Sequence, residues 1–138
     1  MRILVLDGNQ NQAVAAVRSL AHAGHEVLTG DTDTWCKAGW SRFSQDTFRY
    51  PAPQNDAAAF VGRIADLVRV HPGTLVMPMT EATTLPLSVH RETIFNAGGR
   101  MVLPAHSDLL RAFDKEQTTQ LGCRMGIGVS GLIACTCL

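Results

Sequence analysis

The chain has no excess charge of either sign, no long apolar run and no disulfide pattern, and each absence removes a class of function. Twelve Lys and Arg balance twelve Asp and Glu over 138 residues. Binding along a nucleic-acid backbone or an anionic membrane surface draws on a basic excess, so neither nucleic acid nor membrane is an expected partner. No apolar stretch approaches the roughly eighteen residues of a membrane span, and the N-terminus enters a strand pattern without the order of a secretory signal. A cytoplasmic location is the expectation. The four cysteines, Cys36, Cys123, Cys135 and Cys137, follow no zinc-ribbon or thioredoxin spacing and read as free thiols. Cys135-Thr136-Cys137 lacks the further ligands that a metal site needs, so no metal is expected.

Catalytic signatures are missing too. Gly8 is followed by Asn9, Gln10, Asn11, Gln12 and Ala13, so the dinucleotide pattern G-x-G-x-x-G is absent. Without the second glycine a side chain obstructs the approach of a pyrophosphate to the backbone. Asp31 nevertheless stands roughly where an acid would hold a ribose hydroxyl, which keeps an NAD(P)-binding domain as an alternative. There is no P-loop, no G-x-S-x-G elbow around any serine, and no H-E-x-x-H among the scattered histidines.

What is present is an alternation of strand and helix patterns. Ile3, Leu4, Val5 and Leu6 form a short continuous apolar run, the signature of a strand buried on both faces. Asp7-Gly8-Asn9 breaks it, and from Ala13 the apolar positions Val14, Val17, Leu20 and Ala21 take helical spacing up to Gly24. A second strand over 26–29 completes a βαβ unit of about thirty residues. Residues 32–45 lack a period and read as a loop whose Trp35 and Trp40 pack back on the domain. An edge strand over 47–50, closed by Pro51 and Pro53, precedes a helix capped by Asn55 or Asp56 with the stripe Phe60 or Val61, Ile64, Leu67 and Val68.

A buried strand over 74–79 leads to a helix beginning near Thr84, because Pro86 fits a first turn, and reaching about Phe95. Met101, Val102 and Leu103 suggest a fourth buried strand. His106 or Ser107 opens a short helix, and Asp114 with Gln117 makes a capping box for another that ends at Gly126. The fold class is α/β, a Rossmann-like doubly wound, mostly parallel sheet with helices on both faces.

Three places invite chemistry. The turn Asp7-Gly8-Asn9-Gln10 lies at the carboxyl edge of the sheet, where helix amides favour a phosphate or carboxylate; alternatively Gly8 and Asn9 only make the turn. Thr80 and Glu81 emerge on the same edge after the third strand and either face Asn9 across a crevice or cap the following helix. Lys115 opposes the dipole at a helix start, which invites a search for an anion.

In this order and spacing, the segments ILVLDGNQNQAVAAVRSLAHAGHEV, SRF...FRYPAP, LVMPMTEA and LLRAFDKEQTTQLGCRMGIGV resemble the N-terminal domain of ATP-grasp ligases, the group that includes carbamoyl-phosphate synthase and biotin carboxylase. The resemblance covers residues 2–129. It implies a substrate-binding domain at 1–113, a linker helix at 114–129 leading towards ATP-grasp lobes, and an atypical apolar tail at 130–138. It further implies that Lys115 contacts nucleotide phosphates and that Asp7, Gly8, Asn9, Gln10, Thr80 and Glu81 lie where a small carboxylate or amine substrate is held. The intact enzymes use ATP and magnesium to activate a carboxylate as an acyl phosphate before transfer to an amine or thiol. This chain lacks the lobes that carry that chemistry, so the expectation is a truncated or split ligase domain without catalysis of its own. The alternative is an interaction module that docks a separate ATP-grasp subunit or forms a homodimer through its apolar C-terminal segment.

Overall fold

The computed structural model describes residues 1–127, so Val129, Cys135, Cys137 and the tail at 130–138 lie outside the described residues. It contains β1 (Arg2–Val5), α1 (Asn11–His22), β2 (Glu26–Asp31), β3 (Asp46–Arg49), α2 (Ala57–Val70), β4 (Leu75–Met77), α3 (Glu81–Val89), α4 (Arg91–Asn96), α5 (His106–Phe113) and α6 (Lys115–Arg124). The chain forms two compact units, Met1–Leu103 and a second beginning at Pro104. The resemblance puts the start of the linker at residue 114.

In the first unit the strands form one sheet in the order β3-β2-β1-β4, with every pairing parallel. Ile3 of β1 stands opposite Val27 on one side and Leu75 on the other. Alternation then sorts the apolar run of β1 between two cores. Ile3 and Val5 pack with Ala13 and Val17 of α1, whereas Leu4 and Leu6 pack with Phe60, Ile64 and Val68 of α2. Helices therefore cover both faces, and the carboxyl ends of all four strands open on one edge.

Local chemistry sets the helix limits. Gly24, with φ +82°, lets its own N–H reach Ala21 O and the His25 N–H reach Leu20 O, the paired bonds of a Schellman ending on α1. Asp56 caps α2 by accepting from the Ala59 N–H at 2.8 Å.

Three sequence expectations are corrected. The single helix from Thr84 to Phe95 is two helices, α3 and α4, divided at His90, and α3 begins at Glu81 with Pro86 inside it. Pro86 denies the Ala82 carbonyl its helical donor, a local cost that the tertiary packing of Thr83, Thr84 and Leu87 overrides. The strand at 101–103 does not form. Only Arg100 pairs, by a single bridge to Leu75, and Val102 is 87% exposed. A three-residue apolar run followed by Pro104, which has no N–H, cannot extend that bridge into a ladder. Trp35 and Trp40 do not pack back either: they are 72% and 73% exposed, and the residues of this loop that are buried are Cys36 and Ala38.

In the second unit, α5 and α6 meet at Asp114. Its carboxylate accepts from the Glu116 N–H at 2.9 Å and the Gln117 N–H at 3.1 Å. The Gln117 side chain returns to the Asp114 carboxylate at 2.8 Å rather than to its backbone N–H, a variant of the box read from the sequence.

Candidate functional site

The first turn after β1 carries the site. Asp7 adopts φ +58°, a left-handed conformation that costs a non-glycine residue about 1 kcal/mol or more and persists only where neighbours fix it. They do. Asp7 Oδ2 accepts from the Met79 N–H at 3.0 Å, the Thr80 N–H at 2.9 Å and the Thr83 hydroxyl at 2.6 Å. The Asp7 N–H donates to the Tyr50 phenol oxygen at 2.9 Å, and that phenol donates back to Asp7 Oδ1 at 3.3 Å. One carboxylate thus ties the ends of β1, β3 and β4 together. Burial, reinforced by the charge of Asp7, pushes the Tyr50 phenol far above its ordinary range, so it stays a hydrogen-bond donor.

The next residues fix the opposite wall. A Cβ on Gly8 would stand 2.5 Å from Cys36 Sγ and 2.7 Å from Thr29 Cγ2, so only glycine fits. The Asn9 N–H donates to Asp31 Oδ2 at 2.9 Å, and Asn9 Oδ1 accepts from the Lys37 N–H. Asp31 ends β2, and its other oxygen accepts from the Thr32 N–H, the Thr32 hydroxyl and the Asp33 N–H.

Between these walls lies an open crevice of about 400 Å³, lined among others by Asp7, Asn9, Gln10, Asp31, Tyr50 and Thr80. The structure therefore brings together four of the residues singled out in the sequence: Asp7, Asn9, Gln10 and Thr80. Gly8 is buried beneath the turn and shapes it. Glu81 is the first residue of α3 and lines a neighbouring shallow hollow with Pro53 and Gln54. Lys115 is exposed at the first residue of α6, in the second unit. Tyr50 and Thr83 were missed, because nothing local marks a tyrosine near an edge strand or a threonine inside a helix as partners of an aspartate in the first turn.

Cofactor chemistry can be tested on these donors. Asp31 already accepts four bonds from its own chain, so it is not poised for a ribose hydroxyl, and the missing glycines add to that mismatch. Among the described residues no group of His, Cys, Asp and Glu is placed to hold a metal ion. The first amides of α6 are taken by Asp114, which leaves Lys115 as a single contact and not a phosphate cradle. The described residues thus do not fit a complete site for ATP and magnesium.

No family model and no curated protein matches the chain. Solved structures do. L-amino acid ligase from Bacillus licheniformis aligns with a TM-score of 0.65 at 12% identity, over 93% of this chain and 31% of that one. Glycinamide-RNase-transformylase T from Mycobacterium tuberculosis aligns with a TM-score of 0.63 at 16% identity, over 91% of this chain and 32% of that one. The biotin carboxylase domain of a single-chain bacterial carboxylase gives 0.61 at 19% identity, over 94% of this chain and 30% of that one. At such identities the likeness establishes the fold. These neighbours are enzymes of the ATP-grasp group that the sequence resembles, and this chain has the fold of a part that makes up about a third of each.

Proposed function

We propose that the chain is the substrate-side domain of an ATP-dependent ligase that joins a carboxylate to an amine or thiol, working with ATP-binding lobes that the described residues do not supply. The crevice at the carboxyl edge of the sheet carries this reading, because open α/β sheets bind ligands where adjacent strand ends diverge. Asn9, Gln10 and Thr80 contact the small carboxylate or amine, with Glu81 beside them at the start of α3. Asp7 acts as a positioning residue: its oxygens are engaged with the β4–α3 turn and Tyr50. Lys115 takes the phosphate-contacting role that the resemblance implies.

Calorimetric titration of the purified chain with small amines and carboxylates tests this reading, run alongside an assay for ADP release with magnesium-ATP present. Binding heat that disappears in Thr80→Arg, where the longer side chain fills the crevice, is the expected result, together with no ATP turnover. ATP-dependent ligation by the chain alone, or binding heat that Thr80→Arg leaves unchanged, would overturn it.

A second reading rests on the second unit, where Leu121, Met125 and Ile127 are all more than half exposed. Such a surface fits docking of a separate ATP-grasp subunit or a second copy. Sedimentation at rising concentration checks the homodimer: a constant monomer mass contradicts it.

A further inference from the structure

A second cavity, of about 380 Å³, lies on the loop between β2 and β3 and is lined by Thr34, Trp35, Cys36, Gly39, Trp40 and Thr47. It holds both tryptophans of the chain. Their ring centroids are 5.3 Å apart with the planes inclined by 42°, so the two indoles brace one another while each stays about three-quarters exposed. Trp is ordinarily among the more thoroughly covered side chains, and two exposed in contact form an apolar surface that water solvates poorly.

The loop that presents them is anchored at both ends and in the middle. Asp31 fixes Thr32 and Asp33, Arg49 Nε donates to Thr32 O at 3.1 Å, and the Ala38 N–H donates to Gly8 O at 2.9 Å. The Ser44 and Thr29 hydroxyls meet at 2.8 Å, and the Gln45 N–H donates to Val27 O. The floor is tight: a Cβ on Gly39 would come within 2.7 Å of Thr47 Cγ2 and 2.9 Å of Cys36 Sγ. The cavity is therefore held open by a fixed backbone.

We infer that this cavity is a binding site for the planar heteroaromatic ring of a small molecule. Its volume falls in the range of small-ligand pockets, which combine aromatic walls with a few polar groups. Indole faces favour a flat π-system over an aliphatic group of equal size, through offset or edge contacts. Thr34 and Thr47 belong to the same lining, and a threonine hydroxyl there can hydrogen-bond heteroatoms at the ring edge. Thr32 and Asp33, which line the crevice at the sheet edge, immediately precede Thr34, so the two cavities adjoin along one strand of chain. The inference does not depend on the ligase reading.

Two-dimensional 15N NMR of the whole chain tests it, because the only two indole N–H signals both belong to this cavity. Adenosine serves as the heteroaromatic probe and cyclohexanol as the non-planar control. The expected result is a saturable shift of both indole signals with adenosine, none with cyclohexanol, and at least a tenfold loss of adenosine affinity in Trp40→Ala. Both tryptophans are exposed, so the substitution leaves the remaining amide spectrum in place, and Trp35→Phe, which keeps an aromatic face, retains most of the affinity. Linear, non-saturating shifts, equal response to cyclohexanol, or unaltered affinity in Trp40→Ala would each overturn the inference. So would adenosine shifts confined to Asn9, Gln10 and Thr80, a result that would move the ring to the crevice and leave that site standing.

Discussion

Asp7 and Thr83 are 76 residues apart in sequence, yet the threonine hydroxyl donates to the aspartate at 2.6 Å, the shortest of the bonds that converge on that carboxylate. The contact joins the first turn of the chain to the first turn of α3. Removing the carboxylate leaves the Met79 and Thr80 amides without their acceptor in a half-buried turn, while Asp7 keeps a strained φ with less to compensate it. Asp7→Ala is therefore expected to cost about 3 kcal/mol, and Thr83→Val, which removes one donor, about 1 kcal/mol. Urea denaturation reads both; equal losses from the two variants would contradict the central place given to Asp7.

Gly8 and Gly24 separate two reasons for a glycine. At Gly8 the obstacle is space, with Cys36 Sγ and Thr29 Cγ2 both inside 3 Å of an added Cβ, and Gly8→Ala is expected to destabilise by about 2 kcal/mol. At Gly24 there is no neighbour within 4 Å but φ is +82°, so Gly24→Ala is expected to cost about 1 kcal/mol through the backbone alone. Pairing Gly8→Ala with Cys36→Ala relieves part of the first loss. No relief in the double variant would argue against the close approach.

Tyr50 is the only tyrosine in the chain, which makes its ionisation readable. Its folded pKa is raised, first by burial and then by the Asp7 charge, so the stability it contributes is fully present below the ordinary phenol range, near pH 10. That stability is lost as pH rises beyond this value, because the unfolded chain can release the proton and the folded chain cannot. Tyrosinate absorbance should therefore appear only together with alkaline unfolding. A reversible phenol titration near pH 10 in the folded protein would contradict the bond between Tyr50 and Asp7.

At Asp114 the sign is opposite. The Gln117 backbone and side-chain donors, with the Glu116 N–H, hold its carboxyl below the usual value. The cap on α6 is present above the ordinary carboxylate range, near pH 4, and is lost as pH falls through the lowered value. Protection of the Glu116 and Gln117 amides, taken relative to the exchange rate of an unstructured peptide at the same pH, should fall below that range and should already be lost at neutral pH in Asp114→Ala. Pairing this variant with Gln117→Ala adds little if the two act as one box.

The features read correctly from the sequence were those whose cause is local. The stripe of α2, its cap at one of Asn55 and Asp56, the stop at Gly24 and the Asp114–Gln117 pair each depend on residues within a turn or two, which periodicity and capping chemistry expose. The errors share a different origin. Val102 has the composition of a buried strand residue, but pairing beyond Arg100 depends on the course of the chain after it. Pro86 has the character of a helix-start marker, though packing of Thr83, Thr84 and Leu87 carries α3 through it. The size of the tryptophans suggests core, and only the loop geometry shows that Cys36 and Ala38 are the residues it buries. In the candidate site, the position of Asn9, Gln10 and Thr80 followed from the βαβ logic, since strand ends in a parallel sheet share an edge. The engagement of Asp7 by Tyr50 and Thr83 did not, because those partners are brought together only by the sheet order.

The turns after β1 and β4 are proposed to form one ligand site. Residue-by-residue 15N amide shifts during titration of the whole chain with glycine, which carries both a carboxylate and an amine, test it most directly. Saturable shifts of Asn9, Gln10 and Thr80 at a common affinity, abolished in Thr80→Arg, are the expected result. Saturable shifts centred elsewhere, or shifts of these three amides at unrelated affinities, would contradict it.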